Sequence, residues 1–322
     1  MATETVQAEG NCNLIVILGT NASGKTRTAV RLAAERGSEV ISADSRQVYR
    51  GMDLGTGKDL EEFTVAGKGI PYHLIDICDP GHEFNVFEYQ QRFYRTFSDL
   101  SRRGIIPVMV GGTGLYIEAV VRGYDMVAVP EDPLLRERLH TKDMDELGRY
   151  LHTVNPTVHN TTDLGDRGRL LRAIEIAEYS AAHRDDARED RPVVHPFVMG
   201  IRWPRDLLRK RIAARLLDRL DRGMIDEVKR LRAVGIDWER LDSFGLEYRY
   251  ISLYLRGELA YDDMVDTLTT KIGQFAKRQE TWFRRMEKRG TAIHWVDGDN
   301  YPAVRGLVER HVGVDGNHQD RQ

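Results

Sequence analysis

Residues 19–26 have the types and spacing needed to hold a phosphate group. They read Gly19-Thr20-Asn21-Ala22-Ser23-Gly24-Lys25-Thr26 and match G-x-x-x-x-G-K-[ST] at every fixed position, which is the P-loop pattern. In such a loop the backbone N–H groups point into one hollow, and the Lys25 ammonium adds a full positive charge. The Thr26 hydroxyl can ligate a Mg²⁺ ion that is shared with the phosphates. The stretch therefore predicts a binding site for a phosphate-bearing ligand and Mg²⁺.

A carboxylate and a hydroxyl follow two other apolar stretches. Asp44 comes directly after residues 39–43, and Thr113 lies in a Gly-Gly-Thr-Gly turn after residues 105–110. In an open parallel sheet, ligands bind beyond the carboxyl ends of the strands, so we expect Asp44, Thr113 and the P-loop at one sheet edge. Capping of a turn is the alternative role for Asp44, and glycine turns after strands are common.

Apolar, β-branched runs alternate with segments of helical periodicity along most of the chain. This alternation predicts an α/β fold, in which a P-loop parallel sheet is covered by helices. Helices are expected over 25–36 and 85–103, whereas the glycine-rich residues 50–72 are expected to form a mobile connection. The predicted strands are 14–18, 39–43, 72–76, 105–110, 197–201 and 293–297.

Residues 124–196 differ from the rest and are mostly polar and helical in pattern. One helix is expected to start near Pro130 and another to include residues 166–175, with a charged surface loop over 181–191. The domain prediction is a core of residues 13–123 and 197–300, with residues 124–196 as a small helical insertion. On the second insertion helix, Arg169 and Arg172 share a face by their i, i+3 spacing.

Composition limits the class of protein. The chain has 322 residues, 41% of them hydrophobic, and a formal net charge of −3, which permits a large core and excludes a uniformly basic nucleic-acid binder. With only two cysteines, Cys12 and Cys78, and no Cys-x-x-Cys pair, the sequence predicts neither a disulfide framework nor a structural zinc site. We expect no signal peptide, no membrane span and a cytoplasmic location, with a frayed tail over 313–322.

Two later segments are rich in basic residues. One is a predicted helix from Pro204 to residue 222, and the other spans residues 271–289 and includes Lys277 and Arg278. Aromatic side chains at 275, 282 and 283 interleave with the second segment, which favours an RNA-facing surface. Solvated helix faces and burial of the aromatics in the core are the alternatives.

Taken together, these stretches resemble the tRNA dimethylallyltransferases, also called tRNA isopentenyltransferases. The resemblance spans residues 14–297 and rests on residues 19–26, 41–56 (ISADSRQVYRGMDLGT), 110–116 (VGGTGLY), 169–175 (RLLRAIE) and 276–284 (AKRQETWFR). It implies a transferase that moves the dimethylallyl group of dimethylallyl diphosphate to N6 of the adenosine 3′-adjacent to the anticodon. The tRNAs would be those that read codons beginning with U.

The resemblance also implies roles for residues. Asp44 would be the general base for the adenine amino group, with Thr113 beside it and Lys25 at the diphosphate. The P-loop would hold the diphosphate and Mg²⁺, aided by one arginine of the 205–222 helix, Arg211 or Arg215. The insertion would grip the tRNA anticodon stem-loop, and a monomer is expected. The implied RNA contacts are Asp44, Ser45, Arg46, Gln47, Thr113, Arg169, Arg172, Lys277 and Arg278.

Three positions depart from the family pattern. The loop has Thr20-Asn21 where the family has proline and threonine, residues 163–165 replace a His-Pro-Asn, and residues 244–249 replace a Leu-Gly-Tyr-Lys stretch.

Two other functions stay open at this stage. One is an adenylate isopentenyltransferase that prenylates free AMP, ADP or ATP, and the other is an ATP-binding P-loop kinase in which Asp44 or Asp76 holds Mg²⁺.

Overall fold

The structure, a computed structural model, describes residues 12–126, 128–156, 166–183 and 191–312. These residues form two compact units. The first consists of the chain up to Tyr124 and from Pro192 onward, and the second is Asp125–Arg191.

The first unit is built on a six-stranded parallel sheet, as the sequence predicts. The strands of the chain are β1 (Leu14–Gly19), β2 (Val40–Ala43), β3 (Thr64–Val65), β4 (Lys68–Gly69), β5 (Tyr72–His73), β6 (Val108–Gly111), β7 (Pro196–Arg202) and β8 (His294–Asp297). The order in the sheet is β5-β2-β6-β1-β7-β8, and each neighbouring pair is parallel. Because β1 lies inside the sheet and consists of a continuous apolar run ending in glycine, all six of its residues are buried.

Helices cover both faces of this sheet. The helices in the described residues of the chain are α1 (Lys25–Arg36), α2 (Val86–Arg102), α3 (Gly114–Val121), α4 (Pro133–Leu139), α5 (Met144–Val154), α6 (Arg167–Ala182), α7 (Arg205–Asp221), α8 (Met224–Ala233), α9 (Trp238–Ser243), α10 (Leu246–Leu255), α11 (Tyr261–Lys288) and α12 (Tyr301–Val312). Of these, α4, α5 and α6 belong to the second unit. Ile15 and Ile17 of β1 pack in one cluster with α1 and α12, whereas Leu14 and Val16 pack with α2, α3 and Phe283. This alternation follows from the two-residue period of a strand.

The segment between β2 and β5 contradicts the prediction of a mobile connection. It holds a 3₁₀ turn over Leu60–Phe63 and the antiparallel β3–β4 hairpin. The Lys58 ammonium is fully buried and donates to Tyr49 O (2.7 Å), Asp53 Oδ1 (2.7 Å) and Asp76 Oδ1 (2.5 Å). A buried ammonium group with two carboxylate partners fixes this segment, because leaving a buried charge without a partner is strongly destabilising.

Several element boundaries also differ from the predictions. The strand expected over 72–76 ends at His73, because Leu74 and Asp76 have positive φ angles of 62° and 55°. Residues 193–195 belong to the first unit, since Asn13 bonds to Val193 O and to the N–H of His195. The sequence analysis missed α12, whose apolar residues Tyr301, Val304 and Val308 are buried.

The second unit has its own small core formed by α4, α5 and α6. Leu135, Leu139, Leu147, Leu151 and Leu170 are among its buried residues. Helix α4 begins at Pro133, after the Asp132 cap, and α5 begins with a capping box between Asp143 and Glu146. No helix in the described ranges combines the length and the apolar character needed to cross a membrane.

Candidate active site

The P-loop joins the end of β1 to the start of α1. Gly24 has a φ of 85°, a left-handed conformation that glycine adopts without strain, and α1 begins at the next residue, Lys25. The positive end of the α1 dipole therefore lies at the loop. Lys25 Nζ donates to Thr20 O at 3.2 Å. The loop therefore has the backbone form expected of a P-loop, and phosphate binding by it stays a prediction.

Two side chains from the region after β7 hold the P-loop from outside. Trp203 Nε1 donates to Ser23 O (2.9 Å), and Arg211 Nε donates to Ala22 O (2.8 Å). The Arg211 guanidinium also lies over the Trp203 ring, 4.3 Å from its centroid. One of the two arginines predicted to contact the diphosphate therefore contacts the loop that would bind it.

The Lys25 ammonium lies in a strongly perturbed environment. Burial and, after it, the positive charge of Arg215 lower its pKa to about 8, although the negative charge of Asp44 acts in the opposite direction. Arg215 and Arg219 on α7 both form ion pairs with Asp59. Lys25, Arg215 and Arg219 therefore lie close enough to repel one another, as expected where an anion is to be bound.

Asp44 lies just past the carboxyl end of β2, which is separated in the sheet from the P-loop strand β1 by β6 alone. Its Oδ1 accepts hydrogen bonds from the N–H groups of Arg46 (2.8 Å) and Gln47 (3.4 Å). The turn-capping role considered from the sequence is thus real, and it fixes the carboxylate. No described group donates to Oδ2, so that oxygen is not committed to the turn.

Thr113 lies on the neighbouring strand connection, at the N-cap of α3. Its N–H donates to Ala43 O (3.3 Å), and its Oγ1 accepts from the N–H of Ser45 (3.1 Å). These bonds join the ends of β2 and β6, so Thr113 and Asp44 lie at the same edge of the sheet, as expected.

Gln279 of α11 was missed by the sequence analysis. Its Oε1 accepts from Asn21 N (2.9 Å) in the P-loop, and its Nε2 donates to Gly112 O (2.9 Å) beside Thr113. A Cβ at residue 112 would lie 2.5 Å from Nε2, so this contact needs glycine there. The side chain links the P-loop to the turn that carries Thr113. The match of residues 276–284 to the family was the only available signal.

Several residues predicted to contact RNA have partners within the protein. Gln47 accepts from Ser42 Oγ (3.0 Å) and donates to Gly57 O (3.0 Å), and Arg172 donates to Glu175 (2.8 Å) and two backbone carbonyls. By contrast, Arg169, Lys277 and Arg278 are exposed. RNA contacts remain a prediction for all of these residues, and for the half-exposed Ser45 and Arg46.

Of the interleaved aromatics, Phe283 is fully buried against the sheet. For Phe283, burial in the core, and not exposure to RNA, is therefore the correct alternative. Phe275 and Trp282 are partly buried, and the Arg278 guanidinium lies 5.5 Å from the Phe275 ring centroid.

The sequence departures at 244–249 have a structural role. Phe244 and Tyr248 are buried, and the Tyr248 hydroxyl donates to Glu227 Oε1 at 2.7 Å. The Glu227 carboxylate also accepts the N–H groups of residues 53–55. Residues 163–165, the other departure, lie outside the described residues.

The residues at the P-loop fit a Mg²⁺ ion bound together with phosphate. Thr26 lies in the first turn of α1, and its hydroxyl takes part in no hydrogen bond of the described residues. No group of three or more His, Cys, Asp or Glu in the described ranges could hold a metal by itself. Mg²⁺ commonly binds through one or two protein ligands plus phosphate oxygens, which this arrangement allows. Asp76, considered from the sequence as a Mg²⁺ ligand, is instead paired with Lys58.

A parallel sheet whose central strand β1 leads through a P-loop into α1 places this chain in the class of P-loop proteins. A family model described as IPP transferase matches residues 47–286, and one described as isopentenyl transferase matches residues 12–67. The chain belongs to the tRNA dimethylallyltransferase family, which is a family of enzymes.

Two relatives in this family have high sequence identity to this chain. A tRNA dimethylallyltransferase of Syntrophus aciditrophicus is 58% identical, over 91% of this chain and 96% of its own. Another, of Citrifermentans bemidjiense, is 52% identical, over 95% of this chain and 98% of its own.

One solved structure supports the same family assignment, and a second shows the same fold. The tRNA isopentenylpyrophosphate transferase of Bacillus halodurans has a TM-score of 0.65 at 32% identity, covering 92% of this chain and 97% of that one. A eukaryotic dimethylallyltransferase acting on tRNA has a TM-score of 0.75 at 23% identity, covering 92% and 78%, and shows the likeness of the fold.

Proposed function

We propose that this protein transfers the dimethylallyl group of dimethylallyl diphosphate to N6 of the adenosine 3′-adjacent to the anticodon. The acceptors are tRNAs that read codons beginning with U, and diphosphate is released. The observation that carries the proposal is the convergence of Asp44 and the P-loop at one sheet edge. Asp44 lies close enough to Lys25 for its charge to act on the ammonium.

The donor's diphosphate is held by the P-loop amides, Lys25 and Arg215. The C–O bond between the dimethylallyl carbon and the diphosphate breaks, and these positive groups stabilise the negative charge of the departing oxygen. The Thr26 hydroxyl would be the protein ligand of a Mg²⁺ ion, which would supply further charge neutralisation at the diphosphate. Arg211 keeps the loop in shape through its bond to Ala22 O.

The acceptor is the exocyclic N6 of an adenine, which must be extruded from its stack at a cost of a few kcal/mol. As the N–C bond forms, N6 becomes cationic, and Asp44 accepts the proton. A carboxylate is too weak a base to remove that proton beforehand. Thr113 lies beside Asp44 and contacts the target nucleotide.

The tRNA contacts are part of the proposal. Lys277 and Arg278 are exposed on α11 and can pair with phosphates of the anticodon stem-loop. The helical unit, with Arg169 on its surface, provides further contacts. The reaction takes place in the cytoplasm, and one copy of the chain suffices because every group named lies on it.

The test uses purified protein, Mg²⁺ and dimethylallyl diphosphate labelled in the prenyl group. Unmodified tRNA and free AMP are offered as acceptors in parallel. We expect label on tRNA and none on AMP, together with negligible phosphate release from ATP. Label on AMP alone would show an adenylate isopentenyltransferase, and rapid ATP turnover without transfer would show a kinase or ATPase.

A further inference from the structure

Arg215 does not face the P-loop alone, because it shares a carboxylate with a second arginine. Asp59, with 13% of its side chain exposed, forms ion pairs with Arg215 and with Arg219. Arg219 Nη2 lies 3.1 Å from Oδ1 and 3.0 Å from Oδ2 of Asp59. Both arginines lie on α7, one helical turn apart, so their side chains project from the same face.

Arg219 is held in a confined position. Only 9% of its side chain is exposed, and its guanidinium occupies the space above Gly57, where a Cβ would lie 2.2 Å from Nη2. The Nε–H group of Arg219 is buried and has no hydrogen-bond partner in the described part of the chain. Arg219 therefore has one N–H donor without a partner in the described residues, and its positive charge is only partly neutralised because Asp59 is shared with Arg215.

The charges explain why two arginines are needed. A guanidinium paired one-to-one with a carboxylate is neutralised and attracts a phosphate weakly. With two guanidiniums on one carboxylate, the group formed by Arg215, Asp59 and Arg219 keeps a net charge of +1, which adds to the charge of Lys25. The effect reaches the P-loop, since both arginines act on the Lys25 ammonium.

Two other carboxyl groups act on this cluster. Glu62 and Glu247 are near enough to interact with Arg215, and burial raises the pKa of both, which reduces their ionised fraction at a given pH. Neither forms an ion pair with Arg215 or Arg219 within the described ranges. Asp59 is thus the direct counter-charge of the pair.

We propose that Asp59 and Arg219 are positioning residues for Arg215. Asp59 fixes the direction of the Arg215 guanidinium, and Arg219 offsets the charge of Asp59, so that Arg215 keeps its attraction for the diphosphate. This inference rests on the proposed function, and it extends that function to two residues that do not themselves touch the substrate.

The test is equilibrium binding of dimethylallyl diphosphate with Mg²⁺ to the whole protein, without tRNA. Arg219→Met removes the second charge but keeps the volume, and we expect the Kd to rise by roughly tenfold. Adding Asp59→Asn to that variant restores the net charge of +1 and leaves an amide oxygen that can still accept from Arg215, so most of the lost affinity should return. Arg219→Lys keeps the charge, so its Kd should stay within about threefold of wild type.

A matched control comes from the same helix region. Arg222 pairs with Glu61, and both side chains are exposed. Arg222→Met should leave the Kd unchanged, since the pair is screened by solvent. Thermal unfolding of each variant identifies any that fails to fold. If Arg219→Met does not fold, the inference is tested with Arg219→Lys and with the double variant.

Two results would overturn the inference. One is a folded Arg219→Met variant that binds the donor as tightly as wild type, and the other is a double variant as weak as Arg219→Met. Inorganic pyrophosphate serves as a second probe. If wild type binds pyrophosphate but not dimethylallyl diphosphate, the proposed function fails, while the Arg219 effect can still be measured with pyrophosphate.

Discussion

Each unit of this protein contains a carboxylate between two arginines, and the two clusters have different surroundings. In the first unit, Asp59 pairs with Arg215 and Arg219. In the second unit, Glu175 pairs with Arg136 (2.6 Å) and Arg172 (2.8 Å). The chemical components of the two clusters are nearly the same.

The difference lies in what the remaining hydrogen-bond donors do. Around Glu175, the N–H of Asp132 is a third donor, and Arg172 also donates to Val129 O and Pro130 O. That cluster is internally satisfied and ties the start of α4 to α6. Around Asp59, by contrast, a buried donor of Arg219 stays unpaired, and the charges act on Lys25. The same pairing can therefore hold a fold together or prepare a site for an anion.

The largest expected effect concerns Asp44, which belongs to neither of the two arginine–carboxylate clusters. Asp44→Asn should lower the rate of transfer by about 10²–10⁴-fold, because the proton on N6 loses its acceptor. Donor affinity should survive, since the diphosphate is held by other groups. The exposed Asp79, paired with Arg50, offers the control Asp79→Asn, which should leave the rate unchanged. A collapse of donor binding in Asp44→Asn would instead place Asp44 with the phosphate ligands.

The comparison itself predicts opposite outcomes for two arginine substitutions. Arg215→Met should weaken donor binding by roughly a hundredfold, a loss of about 3 kcal/mol of charge-assisted hydrogen bonding. Arg172→Met should leave donor binding as it is. Titration calorimetry with dimethylallyl diphosphate measures both. Equal losses in the two variants would show that the clusters do not differ as described.

Two buried glutamines provide a comparison between a residue at the P-loop and one away from it, in this case with uncharged side chains. Gln279→Met should lower kcat by roughly ten- to hundredfold, because the P-loop and the Thr113 turn lose their common link. Gln90 makes similar bonds, to Ala119 O and Tyr124 O, away from the P-loop. Gln90→Met should lower the melting temperature and leave kcat unchanged. If both variants lost activity in proportion to stability, Gln279 would have only a structural role.

A smaller effect is expected on the second unit. Glu175→Gln keeps the shape of the side chain but removes its charge, which should destabilise this unit by about 1–3 kcal/mol. Hydrogen exchange of the amides in α4 and α6 should accelerate, while exchange in β1 stays slow. Unchanged protection in α4 and α6 would contradict a fold-holding role for this cluster.

The smallest effect concerns acid stability. Burial alone would raise the pKa of Glu175, but the arginines hold it below its ordinary value of 4.5. Because the folded pKa is depressed, this stabilisation is present above about pH 4.5 and is lost as the pH falls through the folded value. Glu175→Gln should therefore flatten the decline in stability of this unit below that pH, as measured by hydrogen exchange.

The sequence alone predicts those parts of the site that depend on local patterns. The P-loop, Asp44 and Thr113 each follow an apolar strand, and strand ends of a parallel sheet meet at one edge, so their proximity could be inferred. Gln279 could not be inferred in this way, since it lies 258 residues from its partner Asn21. Its position depends on how a 28-residue helix packs against the sheet.

The same limit explains the incorrect prediction for residues 50–72. Glycine and charge in that stretch favour a mobile loop, and only tertiary contacts show that Lys58 is buried between Asp53 and Asp76. Asp59 likewise gave no signal, because its partners Arg215 and Arg219 are distant in sequence. Fold class was predictable from the alternation of strands and helices, whereas buried ion pairs were not.

The most direct measurement is to identify the modified nucleoside after reaction of tRNA with dimethylallyl diphosphate and this protein. Digestion and mass spectrometry should find a single dimethylallyl group on N6 of the adenosine that follows the anticodon, and none in a reaction with Asp44→Asn. A prenyl group on another nucleoside would contradict the proposed acceptor, and undiminished transfer by Asp44→Asn would contradict the assignment of the proton to Asp44.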